Sequence, residues 1–276
     1  MARPAADFAR PAGVTLEPLQ YGLGAVSGAL VGFTLGLVGG GGSILAVPLM
    51  VYLVGVRNPH IAIGTSAFAV AANAAVGILN HARAGTVKWR CALMYAGAGV
   101  AGALAGSTAG KAFDGQKLLF LFAIVMVVVG AAMLRGRGKV GDAGAECNRE
   151  NAPKVLGYGL GTGVFSGFFG IGGGFLIVPG LVASTGMPIL NAIGSSLVAV
   201  TAFGLTTALN YSISGLVDWP LAFVFIGGGV VGSLLGTRIA KRLAGTTGLL
   251  TTVFAILIFV VAAYMLWKSA GAFISL

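Results

Sequence analysis

Charge is the scarcest commodity in this sequence of 276 residues: 9% of side chains are charged, 57% are hydrophobic, and the mean hydropathy is +0.96. Soluble domains carry about 25% charged residues, so the composition excludes a soluble globular protein and defines an integral membrane protein. The apolar runs are long and do not alternate, which excludes a β-barrel and leaves helices whose backbone groups pair internally. Buried acids are missing as well. Asp7, Glu17, Asp114, Asp142, Glu146, Glu150 and Asp218 all fall in loops, at ends or between apolar runs, so a relay of intramembrane carboxylates lacks its residues. Histidine occurs only as His60 and His81, which leaves no haem-ligand pair. Cys91 and Cys147 stand far apart without a CxxC motif. That spacing argues against a disulfide framework or a structural zinc site, and Cys91, flanked by apolar residues, reads as a packed thiol. No cofactor or metal is expected. The net charge of +10 comes from basic residues between apolar segments, with no interleaved aromatics, so nucleic acid is not an expected partner. Residues 1–18 lack an apolar run. They read as a polar segment rather than a cleavable signal peptide, with the first membrane segment acting as the insertion signal.

The chain repeats itself. At an offset of 131, Gly39, Gly41, Gly42, Leu45, Val47 and Pro48 match Gly170, Gly172, Gly173, Leu176, Val178 and Pro179. At an offset of 130, Ile63–Ser66 (IGTS) matches Ile193–Ser196 (IGSS), and Asn80 matches Asn210. Gly85, Val87 and Trp89 then match Gly215, Val217 and Trp219, and Gly97, Gly99, Gly102, Gly106 and Lys111 match Gly227, Gly229, Gly232, Gly236 and Lys241. A register held this long marks a duplication. The first membrane repeat covers 19–135 and the second 154–268; the polar linker 136–153 joins them and a tail, 269–276, follows. The linker reads as solvent-exposed and flexible. Apolar segments are expected at 19–38, 43–56, 60–82, 88–110 and 116–134, then at 155–169, 174–187, 189–212, 219–240 and 246–267. About twenty helical residues span the hydrocarbon, so the short segments after each glycine run read as re-entrant or broken.

The basic residues bear on sidedness. With inverted repeats and the linker inside, 11 of the 17 basic residues lie inside: Arg83, Lys88, Arg90, Arg135, Arg137, Lys139, Arg149, Lys154, Arg238, Lys241 and Arg242. Parallel repeats give the same division, and both put the linker in the cytoplasm. The local bias favours inversion. The loop after the third segment carries Arg83, Lys88 and Arg90 in the first half but only Asp218 in the second, where the next loop is basic.

Two kinds of glycine pattern are present. Gly24, Gly28, Gly32 and Gly36 recur every fourth residue, as do Gly159, Gly163 and Gly167, then Gly102, Gly106 and Gly110, then Gly232 and Gly236. That spacing makes one smooth face where backbones approach closely. The runs Gly39, Gly40, Gly41, Gly42 and Gly172, Gly173, Gly174 form no single face. They break the helix, and new helices are expected to start near Ser43 and Gly174. Such starts offer unpaired N–H groups and a positive dipole end, which suits an anion in a repeat-built carrier; the bland alternative is a tight turn. Pro48 and Pro179 are expected to kink the short helices. Thr65, Ser66, Ser195 and Ser196, with Asn73, Asn80 and Asn210, are polar groups at membrane depth. They either bond across helices or line a substrate path. His81 and Arg83 close the third segment as candidate proton or anion contacts, with snorkelling as the other reading of Arg83. Trp89, Trp219 and Trp267 read as interfacial anchors.

The paired glycine breaks ending in VP, the IG(T/S)S stretches and the G-x-V-x-W element in both halves resemble the TauE/SafE family of sulfite exporters. The resemblance runs from about residue 20 to 268. It implies a multi-pass protein of a bacterial or archaeal inner membrane that moves small anions, among them sulfite, sulfoacetate and related sulfur-containing or organic anions. It also implies that Gly39–Pro48 and Gly170–Pro179 are site loops, with Thr65, Ser66, Ser195 and Ser196 beside them. Ser43 stands where the second loop has Gly174, a departure from strict two-fold symmetry. The expected fold is therefore an all-α polytopic bundle of two homologous repeats with glycine-broken helices. The expected function is a secondary carrier of a small anion in contact with lipid, with homo-oligomerisation as a further expectation. Rival classes are an anion channel, an intramembrane hydrolase using Ser27 or Ser166 with His81, and a scaffold subunit. The hydrolase lacks a buried acid to orient its histidine, and a scaffold has no need of twin helix breaks.

Overall fold

The computed structural model describes residues 17–135, 142, 145, 147–170, 174–243 and 249–274. Among them no strand occurs; the chain is α1 (Pro18–Val38), α2 (Ala46–Pro48), α3 (Pro59–Arg83), α4 (Trp89–Lys111), α5 (Gly115–Arg135), α6 (Ala152–Phe169), α7 (Gly174–Thr185), α8 (Ile189–Ile213), α9 (Trp219–Leu243) and α10 (Leu249–Ile274). Six of the described helices, α1, α3, α4, α5, α8 and α9, are long and apolar enough to cross a membrane. This is an all-α polytopic membrane protein.

Local sequence sets the helix starts. Pro18 follows Glu17, whose N–H donates to Gln20 Oε1 at 2.9 Å as one arm of a capping box. Asn58 accepts from the His60 N–H at 2.9 Å just before Pro59. Asp114 Oδ1 accepts from the N–H groups of Gln116 (3.1 Å) and Lys117 (3.0 Å), and Asp218 Oδ1 from that of Leu221 (3.1 Å). Each satisfies donors that a helix start leaves open.

Packing follows the glycine faces. α1 runs parallel to α9, with Gly24, Gly28, Gly32 and Gly36 on Leu221, Phe225, Gly229 and Ser233. α4 runs parallel to α6 in the same way: Gly159 meets Tyr95, Gly163 meets Gly99 and Gly167 meets Ala103. A Cβ at Gly28, Gly32, Gly163 or Gly167 would strike a backbone carbonyl of the facing helix. Between these two pairs, α3 and α8 run antiparallel; Gly77 meets Leu197, Gly204 meets Ala67 and Ala71, and Gly64 meets Tyr211. α5 packs on α10. The first long helix of each half therefore lies on the third of the other. Tyr95, Tyr211, Phe122, Phe203 and Phe225 fill the interior, while Leu79, Leu209, Val231 and Ile213 point outward, as residues facing acyl chains do.

The first break differs in form from the expectation. No new helix starts at Ser43. The glycine run itself winds as a 3-10 helix over Gly39–Leu45, followed by one α-turn (Ala46–Pro48) and a wide π-turn (Leu49–Leu53). Only Gly39 leaves the right-handed region, at φ 70°, and that one residue reverses the chain. The segment then returns along α1. Thr34 Oγ1 donates to the Gly42 carbonyl at 3.3 Å, and Gln20 Nε2 to that of Val54 at 3.1 Å. Gly42 is pressed onto the backbone of Thr34 and Leu35, where a side chain does not fit. In the second half Gly170 also leaves the right-handed region, at φ 68°, and α7 starts at Gly174, as expected. Gly172 and Gly173 lie outside the described residues.

The cysteines overturn the reading of the sequence. Cys91 and Cys147 form a disulfide across 56 residues, with Cα atoms 5.3 Å apart, inside the usual span for such a bond. Chain separation was a poor guide because α5 carries the chain across and the linker returns it to the start of α4. Cys147 and Ala145 of the linker are buried, so this part of it is docked rather than freely solvated, and Asp142 N–H donates to the Gly186 carbonyl at 2.9 Å.

Candidate functional site

The three repeated motifs come together, and they do so across the halves. Gly39, at the first break, sits on Ile193 of the second half's IGSS stretch, and Gly170, at the second break, sits on Ile63 of the first half's IGTS stretch. The glycine after each isoleucine meets the other half's G-x-V-x-W turn. Gly64 packs on the Leu216 carbonyl, and Gly194 on the Thr86 hydroxyl and carbonyl. The next residue bonds to that same turn. Asp218 N–H donates to Thr65 Oγ1 at 2.9 Å, and Lys88 N–H donates to Ser195 Oγ at 2.9 Å. Asp218 and Lys88 directly precede α9 and α4, so both hydroxyls satisfy a backbone donor at a helix start. Ser66 and Ser196 turn back to the carbonyls of Ile63 and Ile193 at 3.1 and 2.7 Å, and both are fully buried.

Two equivalent clusters result. Because α3 and α8 run antiparallel, the clusters stand at opposite ends of that helix pair. The cluster around Gly39 and Ser195 gathers polar and basic groups. Asn191 Nδ2 donates to the Thr86 carbonyl at 3.1 Å, His81 Nδ1 lies 2.9 Å from Thr86 Oγ1, and Lys88 is half-buried. Arg83 is exposed at the end of α3. The cluster around Gly170 and Thr65 has Leu216 and Asp218 in the places of Thr86 and Lys88.

Other candidates fall outside these clusters. Asn210 is taken up by α4: its Oδ1 and carbonyl accept from Lys111 Nζ at 2.9 and 3.0 Å, and its Nδ2 donates to Ser107 Oγ at 2.7 Å. Asn80 is half-buried near the end of α3. Gly40, Gly41 and the buried Ser43 lie in the 3-10 turn. Pro48 is buried where the α-turn passes into the π-turn, while Pro179 is exposed within α7. Sequence reasoning missed Thr34, Asn191 and Lys111, which join elements through side-chain hydrogen bonds. Only their polarity within or beside apolar runs marked them.

The sequence profile described as "Sulfite exporter TauE/SafE" matches residues 24–265. The chain belongs to this family. A "Probable membrane transporter protein" of Xylella fastidiosa (strain 9a5c) is 50% identical over 268 residues, covering 95% of this chain and 100% of that protein. The probable membrane transporter protein YunE of Bacillus subtilis (strain 168) is 26% identical, covering 80% of this chain and 89% of its own. A probable membrane transporter protein, MJ0441, of Methanocaldococcus jannaschii is also 26% identical, over 78% of this chain and 86% of its own. No solved structure matches. This TauE/SafE member is a multi-pass membrane transporter.

Proposed function

We propose that this TauE/SafE protein is a secondary carrier of small anions, sulfite or an organosulfonate foremost, and not an enzyme. One observation carries the reading: each glycine break rests on the other half's IG(T/S)S stretch, so a movement of one half against the other must alter both clusters together. Linked gates at the two ends of a polytopic bundle are what alternating access requires. The antiparallel run of α3 and α8 supports inverted repeats. The turn that starts at Gly39 and the start of α7 at Gly174, with Thr65, Ser66, Ser195 and Ser196 on the facing stretches, suit an anion entering from either end. The linker end carries most of the basic residues, which supports a cytoplasmic linker in a bacterial inner membrane. A hydrolase is disfavoured because His81 Nδ1 is engaged by Thr86 and the buried Ser27 hydroxyl has no partner.

The test is flux into proteoliposomes of sulfite, sulfate, thiosulfate, sulfoacetate and acetate, with and without a pH gradient. Saturable uptake of one sulfur anion, lost in folded Gly39→Val and Gly170→Val proteins, is the expected result. Uptake that rises without saturation identifies a channel, and no uptake of any anion removes the proposal.

A further inference from the structure

The junction of α1, α3 and α9 holds polar atoms that the fold does not use. Asn73 sits near the middle of α3 and is 1% exposed, and neither its Nδ2 nor its Oδ1 has a hydrogen-bond partner. Amides within membrane helices ordinarily bond to a neighbour, and a buried one left unpaired is costly. The Asn73 amide lies against Gly229 of α9, where a Cβ would run into it. One turn further along α9, Ser233 is fully buried and its hydroxyl too is unpaired. On α1, which meets Gly229 through Gly32, Ser27 is a third buried hydroxyl without a partner. The corresponding junction of α6, α8 and α4 has Tyr158, Phe203 and Ala103 in the places of Ser27, Asn73 and Ser233. There Phe203 lies on Gly99 and stacks with Tyr95 at 6.5 Å. Buried hydroxyls without a partner also occur at Ser166 of α6 and at Thr207 and Tyr211 of α8, but among the described residues an unpaired buried side-chain amide occurs only at Asn73.

The junction is also without charge. α1, α8, the stretch of α3 between His60 and His81, and α9 from Trp219 to Thr237 contain no charged residue.

We propose that Asn73 and Ser233 form a mid-depth binding site for a singly charged oxyanion that still carries a proton, such as hydrogen sulfite. The proposal rests on the anion-carrier reading above and narrows it. Asn73 Nδ2 and the Ser233 hydroxyl donate to the anion's oxygens, and Asn73 Oδ1 accepts the proton that the anion bears. A dianion brings twice the charge to a site without a cation, and burying an uncompensated charge is far costlier than burying a hydrogen-bonded neutral group. The site therefore selects by charge state.

The experiment uses the full chain in proteoliposomes, with ³⁵S-labelled sulfite as the probe and unlabelled sulfate, a dianion at neutral pH, as the competitor. Absence of saturable sulfite uptake by the wild-type protein overturns the carrier reading and this site with it. With wild-type uptake in hand, Asn73→Leu lowers uptake at least about tenfold while its melting temperature stays level or rises, because an unpaired amide has been removed. Ser233→Ala raises KM about three- to tenfold, the effect of one lost hydrogen bond. Phe203→Leu, at the matching place in the other junction, leaves KM within about twofold, since it removes no hydrogen bond. Sulfate inhibits far less than unlabelled sulfite. Wild-type KM and rate in both Asn73→Leu and Ser233→Ala overturn the site while leaving the carrier reading intact; inhibition by sulfate equal to that by sulfite overturns its selectivity. If Asn73→Leu gives no monodisperse protein, Ser233→Ala decides.

Discussion

Gly229 and Gly99 occupy matching places, yet one holds an amide against its α-carbon and the other a phenyl ring. The backbone is built the same way on both sides: a glycine-faced helix from one half laid along the third long helix of the other. What fills the angle behind each pair differs. The comparison separates two duties that sequence repetition alone blends together. Glycine spacing sets where the helices go, and it was kept twice. The side chains between them decide what each junction can hold, and there the halves have parted.

The strongest way to break the comparison is to spoil the shared scaffold. Gly32→Leu and Gly163→Leu, each aimed at a facing carbonyl, are expected to destabilise by at least about 3 kcal/mol and to abolish a monodisperse peak in size-exclusion chromatography. Gly22, with open space around it, tolerates the same change. If all three behave alike, the glycine faces are not the scaffold. The Lys111 anchor is a feature of the α4–α8 contact. Asn210→Leu strips one acceptor, Oδ1, from its ammonium group and leaves the backbone carbonyl in place, and a loss of about 1–2 kcal/mol is expected for a half-exposed charged bond, read as a lowered melting temperature. Thr65→Val and Ser195→Ala sharpen the likeness of the two clusters. Each leaves one helix-start N–H without its partner, and each is expected to cost about 1 kcal/mol; a large disparity in melting temperature between them denies the equivalence. At the small end, Gly97→Ala and Gly227→Ala meet nothing within 4 Å and are expected to stabilise by about 0.5–1 kcal/mol each through helix propensity.

The Cys91–Cys147 pair distinguishes the two ends of the molecule in another way. The cytoplasmic linker proposed above puts this pair in a reducing compartment, whereas lasting disulfides belong to oxidising ones. The expected outcome is that both thiols are free in growing cells. An impermeant maleimide then labels Cys147 in inverted vesicles without reductant and not in intact cells. Labelling from outside, and only after reduction, places the linker on the outer face.

Much of this architecture is legible in the sequence, for physical reasons. Hydrophobic runs locate the long helices to within a few residues, apart from the end of α10 at Ile274, because membrane spans have a fixed length. Four-residue glycine spacing reveals the packing faces, though not the partner of each. The interlock of Gly39 with Ile193 and Gly170 with Ile63 was hidden, since a motif does not state which other motif it touches. The disulfide was hidden for the same reason. At the candidate site, Thr65 and Ser195 were legible as polar groups at depth, but their bonds to Asp218 and Lys88 were not. Asn73 and Asn210 look alike on paper; one is fully engaged by α4 and the other by nothing, a difference made entirely by their neighbours.

The exchange of helices between halves also sets a timetable. α1 leaves the ribosome first, but the surface that covers its glycine face belongs to α9, roughly two hundred residues later. At about 5–20 residues per second, α1 waits on the order of ten to forty seconds in the bilayer with that face open to lipid or to whatever insertion machinery holds it. The protein cannot be assembled helix by helix as it emerges; its beginning is completed only by its end.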